Sequence, residues 1–463
     1  MTLLMNRTSF FVKQAALVLF FACVLGLGVV FFAPLLTRNL KLLIALPFAG
    51  AALILMSLNF RWTIIVIITT RALLDPILEQ TKSHGGPGIG GLLNLFMILM
   101  VLVTAARFPD KVKKCRFLIP WVFFLAACLP MIYRSPVRSQ SIRTWLMLLT
   151  YACVFFAPFL ALKDEKDKAF WVRLLIISSF LPILIACAGF IFKHPMFYLD
   201  GRLNGTFSHP NILAFYVLLV ITMVLYVLKT GILKLTVAKK VMLNFYLVLL
   251  MIILVLTQTR SAWISCAMLF FLYGVLKEKK MLIFLFLGVL LLTATPQVQS
   301  RLKDLTEGTG ARKHEKLNSM AWRVRLWQSA YPLMLQKPVL GYGLGTFQDY
   351  SIDFFPLANW KGSPAHNVFV EAIFETGFVG LLSYLAIFGW MLKALYKRMR
   401  SSVGAFSREA VIAIVCIVSY LISCYADNLN YYLAFNWYFY FFIGLILAGI
   451  NLKTKPKPEE TNF

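Results

Sequence analysis

Charge is what this sequence has least of. Only 14% of its 463 residues are charged and 60% are hydrophobic, for a mean hydropathy of +0.78. A soluble domain cannot bury that much apolar surface, so a water-solvated globular fold is excluded and lipid must be the main solvent. Acidic residues are scarcer than basic ones, 19 against 46, giving a formal net charge of +27. Cysteines number eight. They fall in apolar runs or, for Cys115, in a basic connecting stretch, and none falls in the one long polar segment. Neither a disulfide framework nor a cysteine metal site is expected. Gly341-x-Gly343-x-Gly345 lacks the preceding strand of a nucleotide loop. Asp349 and Asp353 have no further convergent ligand in view, so no metal and no cofactor is expected. The chain shows no internal repeat and no low-complexity tract beyond the short tail Lys453–Glu460.

What is present is a series of apolar runs, each near the 17–25 residues that a helix needs to cross hydrocarbon. About fourteen can be counted, centred near residues 25, 48, 67, 98, 124, 152, 181, 218, 249, 269, 288, 380, 417 and 442. The third is the weakest, because Arg71 interrupts it. With the N-terminus in the cytoplasm the connections alternate, and roughly 27 of the 46 basic residues then fall on the cytoplasmic side. The basicity is therefore a topology signal, not a nucleic-acid signal. Arg7 and Lys13 precede the first apolar run with no cleavage site after it, so an uncleaved first helix is expected. The expected fold is all-α: a polytopic membrane protein of about 12–14 spans with one long periplasmic loop holding short helices. Residues 1–294 form a bundle of about eleven spans, 295–365 the loop or cap, 366–452 about three further spans, and 453–463 a cytoplasmic tail. Both termini then lie in the cytoplasm.

Four clusters of polar residues share the outward face in this topology. The first, Gly201-Arg202-Leu203-Asn204-Gly205-Thr206-Phe207-Ser208-His209-Pro210-Asn211, precedes the eighth span, with Ser208 as the expected helix cap and Pro210 in the first turn. It reads either as an anion-binding helix start or as a plain capped turn. The second, Thr257-Gln258-Thr259-Arg260-Ser261, joins two spans by a tight hairpin. Arg260 there faces a polar pocket or snorkels to the interface. The third is a helix over Ser319–Gln336, where Arg323, Trp327 and Tyr331 share a face until Pro332 interrupts it. Arg325 diverges from Arg323 by about 200°. The alternative for this element is a basic helix lying on the membrane. The fourth starts a helix with Ser363 as cap, Pro364 at its first position and His366 in its first turn, followed by a stripe of Asn367, Glu371 and Glu375. Carboxylates at membrane depth are functional suspects.

Taken in order, these pieces resemble the O-antigen ligase/O-antigen polymerase superfamily of bacterial envelope glycosyltransferases. The matching residues are Gly205-Thr206-Phe207-x-His209-Pro210-Asn211, then Thr259-Arg260-Ser261. Arg323-x-x-x-Trp327 follows, then Pro338-x-x-Gly341-x-Gly343, then His366-Asn367 with Glu375, Gly377 and Gly380. The resemblance implies a metal-independent, inverting transfer at the periplasmic face of the bacterial inner membrane. A glycan on undecaprenyl pyrophosphate would pass to lipid A-core in a ligase, or to another lipid-linked chain in a polymerase. A protein O-oligosaccharyltransferase of the same superfamily is a further alternative, and a lipid-linked glycan transporter a more distant one. Ligases of this superfamily are usually drawn with about twelve spans, against about fourteen counted here. A pyrophosphate leaving group without a metal calls for guanidinium groups. Arg260 and Arg323 are the first choices and Arg202 and Arg325 stand behind them. His366 is the expected general base. Asn367, Glu371, Glu375 and Asn211 support it, and the spans offer the polyprenyl tail a lipid-side groove.

Overall fold

In lipid a backbone can satisfy its polar groups only within its own segment, so these apolar runs have to be helical. The computed structural model describes residues 59–75, 78, 88–113, 115–199, 201–296, 298–299, 303 and 317–453. The chain divides into two compact units, Met1–Ile67 and Ile68–Phe463. The expected spans near residues 25 and 48 lie outside the described residues. The elements run α1 (Phe60–Arg71), α2 (Ile89–Arg107), α3 (Pro109–Lys113), α4 (Leu118–Ala127), α5 (Leu129–Arg134), α6 (Arg138–Ala161) and α7 (Glu165–Phe192). A two-stranded hairpin, β1 (Tyr198–Leu199) with β2 (Arg202–Leu203), leads into α8 (Pro210–Thr230), α9 (Val237–Leu256), α10 (Arg260–Leu276) and α11 (Lys280–Thr293). Then come α12 (Ser319–Gln336), α13 (Phe347–Phe354), α14 (Val368–Ser401), α15 (Ala405–Ala426), a 3-10 turn (Leu429–Tyr431) and α16 (Leu433–Lys453).

Among the described residues eight helices are long and apolar enough to cross a membrane: α2, α6, α7, α8, α9, α14, α15 and α16. The chain is an all-α, polytopic membrane protein, as its composition requires. In the second unit α16 and α8 form the centre, 94% and 89% buried over their apolar windows, whereas α9 is 22% buried and turns Val241, Phe245, Val248 and Ile252 outward. Lipid is the solvent that such a face fits. Aromatic rings knit the centre: Tyr420 stacks on Phe439 at 4.0 Å, and Tyr440 meets both Trp121 and Tyr151 at 5.4 Å.

Two local expectations are corrected. The cap of α8 is His209, not Ser208: its Nδ1 accepts from the Asn211 N–H at 3.1 Å. The helix α12 spans Ser319–Gln336, as expected, and runs on through Pro332. The cap of α14 is Asn367, whose Oδ1 accepts from Phe369 and Val370. Neither Ser363 nor Pro364 belongs to that helix, and His366 precedes it rather than lying in its first turn. Asn is among the strongest capping residues, and here it takes the place that Ser363 was given.

The helix α14 is broken at Gly377 (φ 62°, ψ −165°). The break frees backbone groups, and the segment 338–345 threads in to take them. Tyr342 and Gly343 N–H donate to the Phe374 and Glu375 carbonyls at 2.9 Å each, and Phe378 N–H donates to the Pro338 carbonyl at 2.8 Å. A side chain at Gly341 would overlap the Glu375 backbone, and one at Gly377 the Val339 carbonyl, so both glycines are required by close approach. The Glu375 carboxylate completes the latch, accepting from Gly345 N–H at 2.7 Å and Phe347 N–H at 3.0 Å.

Candidate functional site

The site is assembled around a turn that the sequence reading passed over, Asp427-Asn428 between α15 and α16. Asp427 is 1% exposed and accepts from three directions. Asn211 Nδ2 reaches its Oδ2 at 2.5 Å, His366 Nδ1 lies 3.4 Å from its Oδ1, and the Asn428 N–H donates to Oδ1 at 2.9 Å. Asn428 Oδ1 in turn accepts from the Asn367 N–H at 2.9 Å. The signal for Asp427 was its chemistry, an acid between two apolar spans.

Burial pushes the Asp427 carboxyl up, but the His366 hydrogen bond and charge, with the Arg323 guanidinium, outweigh it and hold the group below its ordinary range. An ionised carboxylate only accepts, so His366 Nδ1 is the donor in this contact and Nε2 is the ring nitrogen left for another partner. The His366 side chain is 32% exposed, and its backbone sits at φ +50°. Gln258, beside Arg260, has the same φ of +50°. Two of the three non-glycine residues with positive φ among the described residues therefore belong to this site. Held strain of this kind collects at functional sites.

The four clusters close into a ring around the turn. Arg323 Nη1 donates to the Ala426 carbonyl at 2.7 Å, one residue from Asp427. One helical turn earlier, Ser319 Oγ accepts from Arg260 Nη2 at 2.7 Å. Thr259 Oγ1, next to Arg260, donates to Asn211 Oδ1 at 3.2 Å, and Asn211 leads back to Asp427. Arg202 braces the ring, with Nε on the Thr257 carbonyl at 2.9 Å and Nη2 on Asn211 and Thr259 at 2.7 and 2.9 Å. Arg325 is exposed on the far side of α12 from Arg323, as the 200° divergence requires.

The stripe Asn367, Glu371, Glu375 is buried along its length. Glu371 is hydrogen-bonded by Tyr431 and Asn428, and Glu375 holds the glycine segment; neither is the partner of the His366 ring. Trp327 Nε1 donates to the Ala365 carbonyl at 2.7 Å and fixes the residue before His366. Trp322 meets the imidazole edge-on at 6.2 Å. The arrangement offers two half-buried guanidinium groups, an imidazole with an available nitrogen, and a buried carboxylate behind it.

Residues 245–385 match the O-antigen ligase family. The chain carries an O-antigen ligase domain. The match takes in three of the four clusters, with Arg260, Arg323 and His366, while the bracing residues Arg202, Asn211 and Asp427 lie outside the matched stretch. Relatives of the ligase domain agree with the resemblance read from the motifs. A ComP-specific O-oligosaccharyltransferase of Acinetobacter baylyi is 21% identical over 378 residues, 76% of this chain and 65% of its own length. The teichuronic acid biosynthesis protein TuaE of Bacillus subtilis is 25% identical over 151 residues, 32% of this chain and 30% of its own. The chain thus spans less than two thirds of either relative.

Proposed function

We propose that the chain is a glycosyltransferase of the bacterial inner membrane. It takes a glycan from undecaprenyl pyrophosphate at the periplasmic face and passes it, with inversion, to a hydroxyl of lipid A-core. The observation that carries this is the closed ring, which sets the His366–Asp427 pair beside Arg323 and one helical turn from the Ser319–Arg260 contact. The acceptor hydroxyl gives its proton to His366 Nε2 as its oxygen attacks the anomeric carbon, and the sugar–pyrophosphate bond breaks on the opposite face. Asp427 orients the imidazole and stabilises the imidazolium that forms. Charge grows on the departing pyrophosphate, and Arg260 and Arg323 meet it with planar donor forks. Arg202 acts through Asn211 and Thr259 as a positioning residue. Arg325, facing away, serves at most the approach of the anionic donor.

The relative named for O-oligosaccharyl transfer favours a second reading, in which the acceptor hydroxyl belongs to a protein. Deleting the gene and running lipopolysaccharide, lipid-linked glycan and glycoprotein on gels separates the two. A ligase leaves polymer on the lipid carrier and none on lipid A-core. Lipid A-core bearing a single repeat unit identifies a polymerase, and normal lipopolysaccharide with a glycoprotein lost identifies the protein acceptor.

A further inference from the structure

Trp322 meets the imidazole, Trp327 is tied to the residue before it, and a third ring beyond Trp327 is left half in the open. Tyr425 is 55% exposed, although it is the second-last residue of α15, a helix with much of its surface buried. Its ring meets Trp327 edge-on at 5.8 Å. Trp327 is itself fixed by its hydrogen bond to Ala365, beside His366. Trp322, which meets the imidazole, is held by Phe355 at 5.2 Å. Tyr425 also lies one residue before the carbonyl that Arg323 grips and two before Asp427. Its backbone is therefore fixed by the same contacts that fix the base.

A pyranose has one face of C–H bonds flanked by hydroxyls, and an aromatic ring with an apolar face and a polar edge suits it. The attacking hydroxyl must come within hydrogen-bond reach of His366 Nε2, so the acceptor's ring has to lie against whatever borders the imidazole. The donor glycan is placed differently, by its pyrophosphate at the arginines. We infer that Tyr425, backed by Trp327, is the stacking platform for the acceptor sugar and a determinant of acceptor specificity. This rests on the transferase reading. An aromatic at the end of a span also suits the membrane interface, and that is the rival outcome.

The test separates binding from turnover. The full chain is placed in nanodiscs of phosphatidylethanolamine and phosphatidylglycerol, and methyl α-D-glucopyranoside and methyl β-D-galactopyranoside are titrated in, with saturation-transfer NMR as the readout. At least one glycoside is expected to receive saturation at its C–H face. That signal should survive Tyr425→Phe and His366→Gln and fall about tenfold or more in Tyr425→Leu, which keeps an apolar side chain without the ring. No transfer to either glycoside in the wild type, or full transfer in Tyr425→Leu, overturns the platform. So does a Tyr425→Leu effect confined to the melting temperature in lipid, which is the interface role. Wild-type turnover by His366→Gln with the Tyr425 dependence intact would instead overturn the transferase mechanism and leave a sugar-binding surface standing.

Discussion

Two helices, α8 and α15, each reach a buried charged network at both of their ends, and the two networks are built differently. At one end Lys168 Nζ lies 2.7 Å from Glu409 Oε1, with Tyr226 donating to the same oxygen at 2.8 Å and Glu165 at 3.3 Å from the amine. Both charged side chains are within 5% of full burial. The Lys168–Glu409 pair is sealed and ties separate helices together. At the other end Asp427 is as deeply buried, but its partner His366 is one-third exposed, Arg323 is half-buried, and the backbone at His366 and Gln258 is held at positive φ. Burial of charge alone does not mark a functional site. What distinguishes the second network is that a sealed carboxylate holds a partly open imidazole.

That contrast predicts an ordered set of effects. The largest belongs to His366→Gln, which keeps a hydrogen-bonding group but cannot take a proton. Turnover by the purified chain should fall on the order of 100- to 10,000-fold with binding of the lipid-linked donor retained. Next come Arg260→Lys and Arg323→Lys. A point charge does not reproduce the guanidinium fork, and each should lose about 2–4 kcal/mol of transition-state stabilisation, roughly 30- to 1000-fold in kcat. Wild-type kcat in either would remove that arginine from the pyrophosphate site.

At the closed end the expectation is reversed. Glu409→Gln leaves the Lys168 amine buried with only the half-exposed Glu165 beside it, and should lower stability by about 3 kcal/mol. Turnover of the fraction still folded should be unchanged. A chemical defect without a melting-temperature loss would erase the distinction between the two ends.

The smallest effect is in pH. The Asp427 carboxyl is held below its ordinary value of 3.8, so its contribution to stability is complete above that value and is lost as pH falls through the lower folded one. Melting temperatures recorded from pH 6 to pH 3 should fall more steeply below about pH 4 for the wild type than for Asp427→Asn. Parallel curves would show that this carboxylate is not stabilised by its partners.

Much of this was readable before the fold was known. Composition alone gave the helical membrane protein, and the order of Arg260, Arg323 and His366 gave the family resemblance. The residues that escaped did so for physical reasons. Asp427 makes its partnerships with Asn211 and His366 across 216 and 61 residues, and nothing local announces them. Arg202 reads as a phosphate ligand because its type and position fit one; only the geometry reveals three acceptors already at its donors. Glycines at 341, 343 and 345 announce a turn, but that the turn fills a break in α14 depends on Gly377. The caps moved by one and four residues because several capping side chains crowd each helix start, and tertiary contacts select among them.

The central claim is that His366 and Asp427 act as one unit, and a double-mutant cycle on single-turnover rates tests it most directly. Wild type, His366→Gln, Asp427→Asn and the double variant are compared at one pH with the same lipid-linked donor. If Asp427 works only through the imidazole, the double variant should be no slower than His366→Gln alone, within about threefold. Losses that multiply, so that the double variant is slower by the full Asp427→Asn factor, would show two independent contributions and contradict the account.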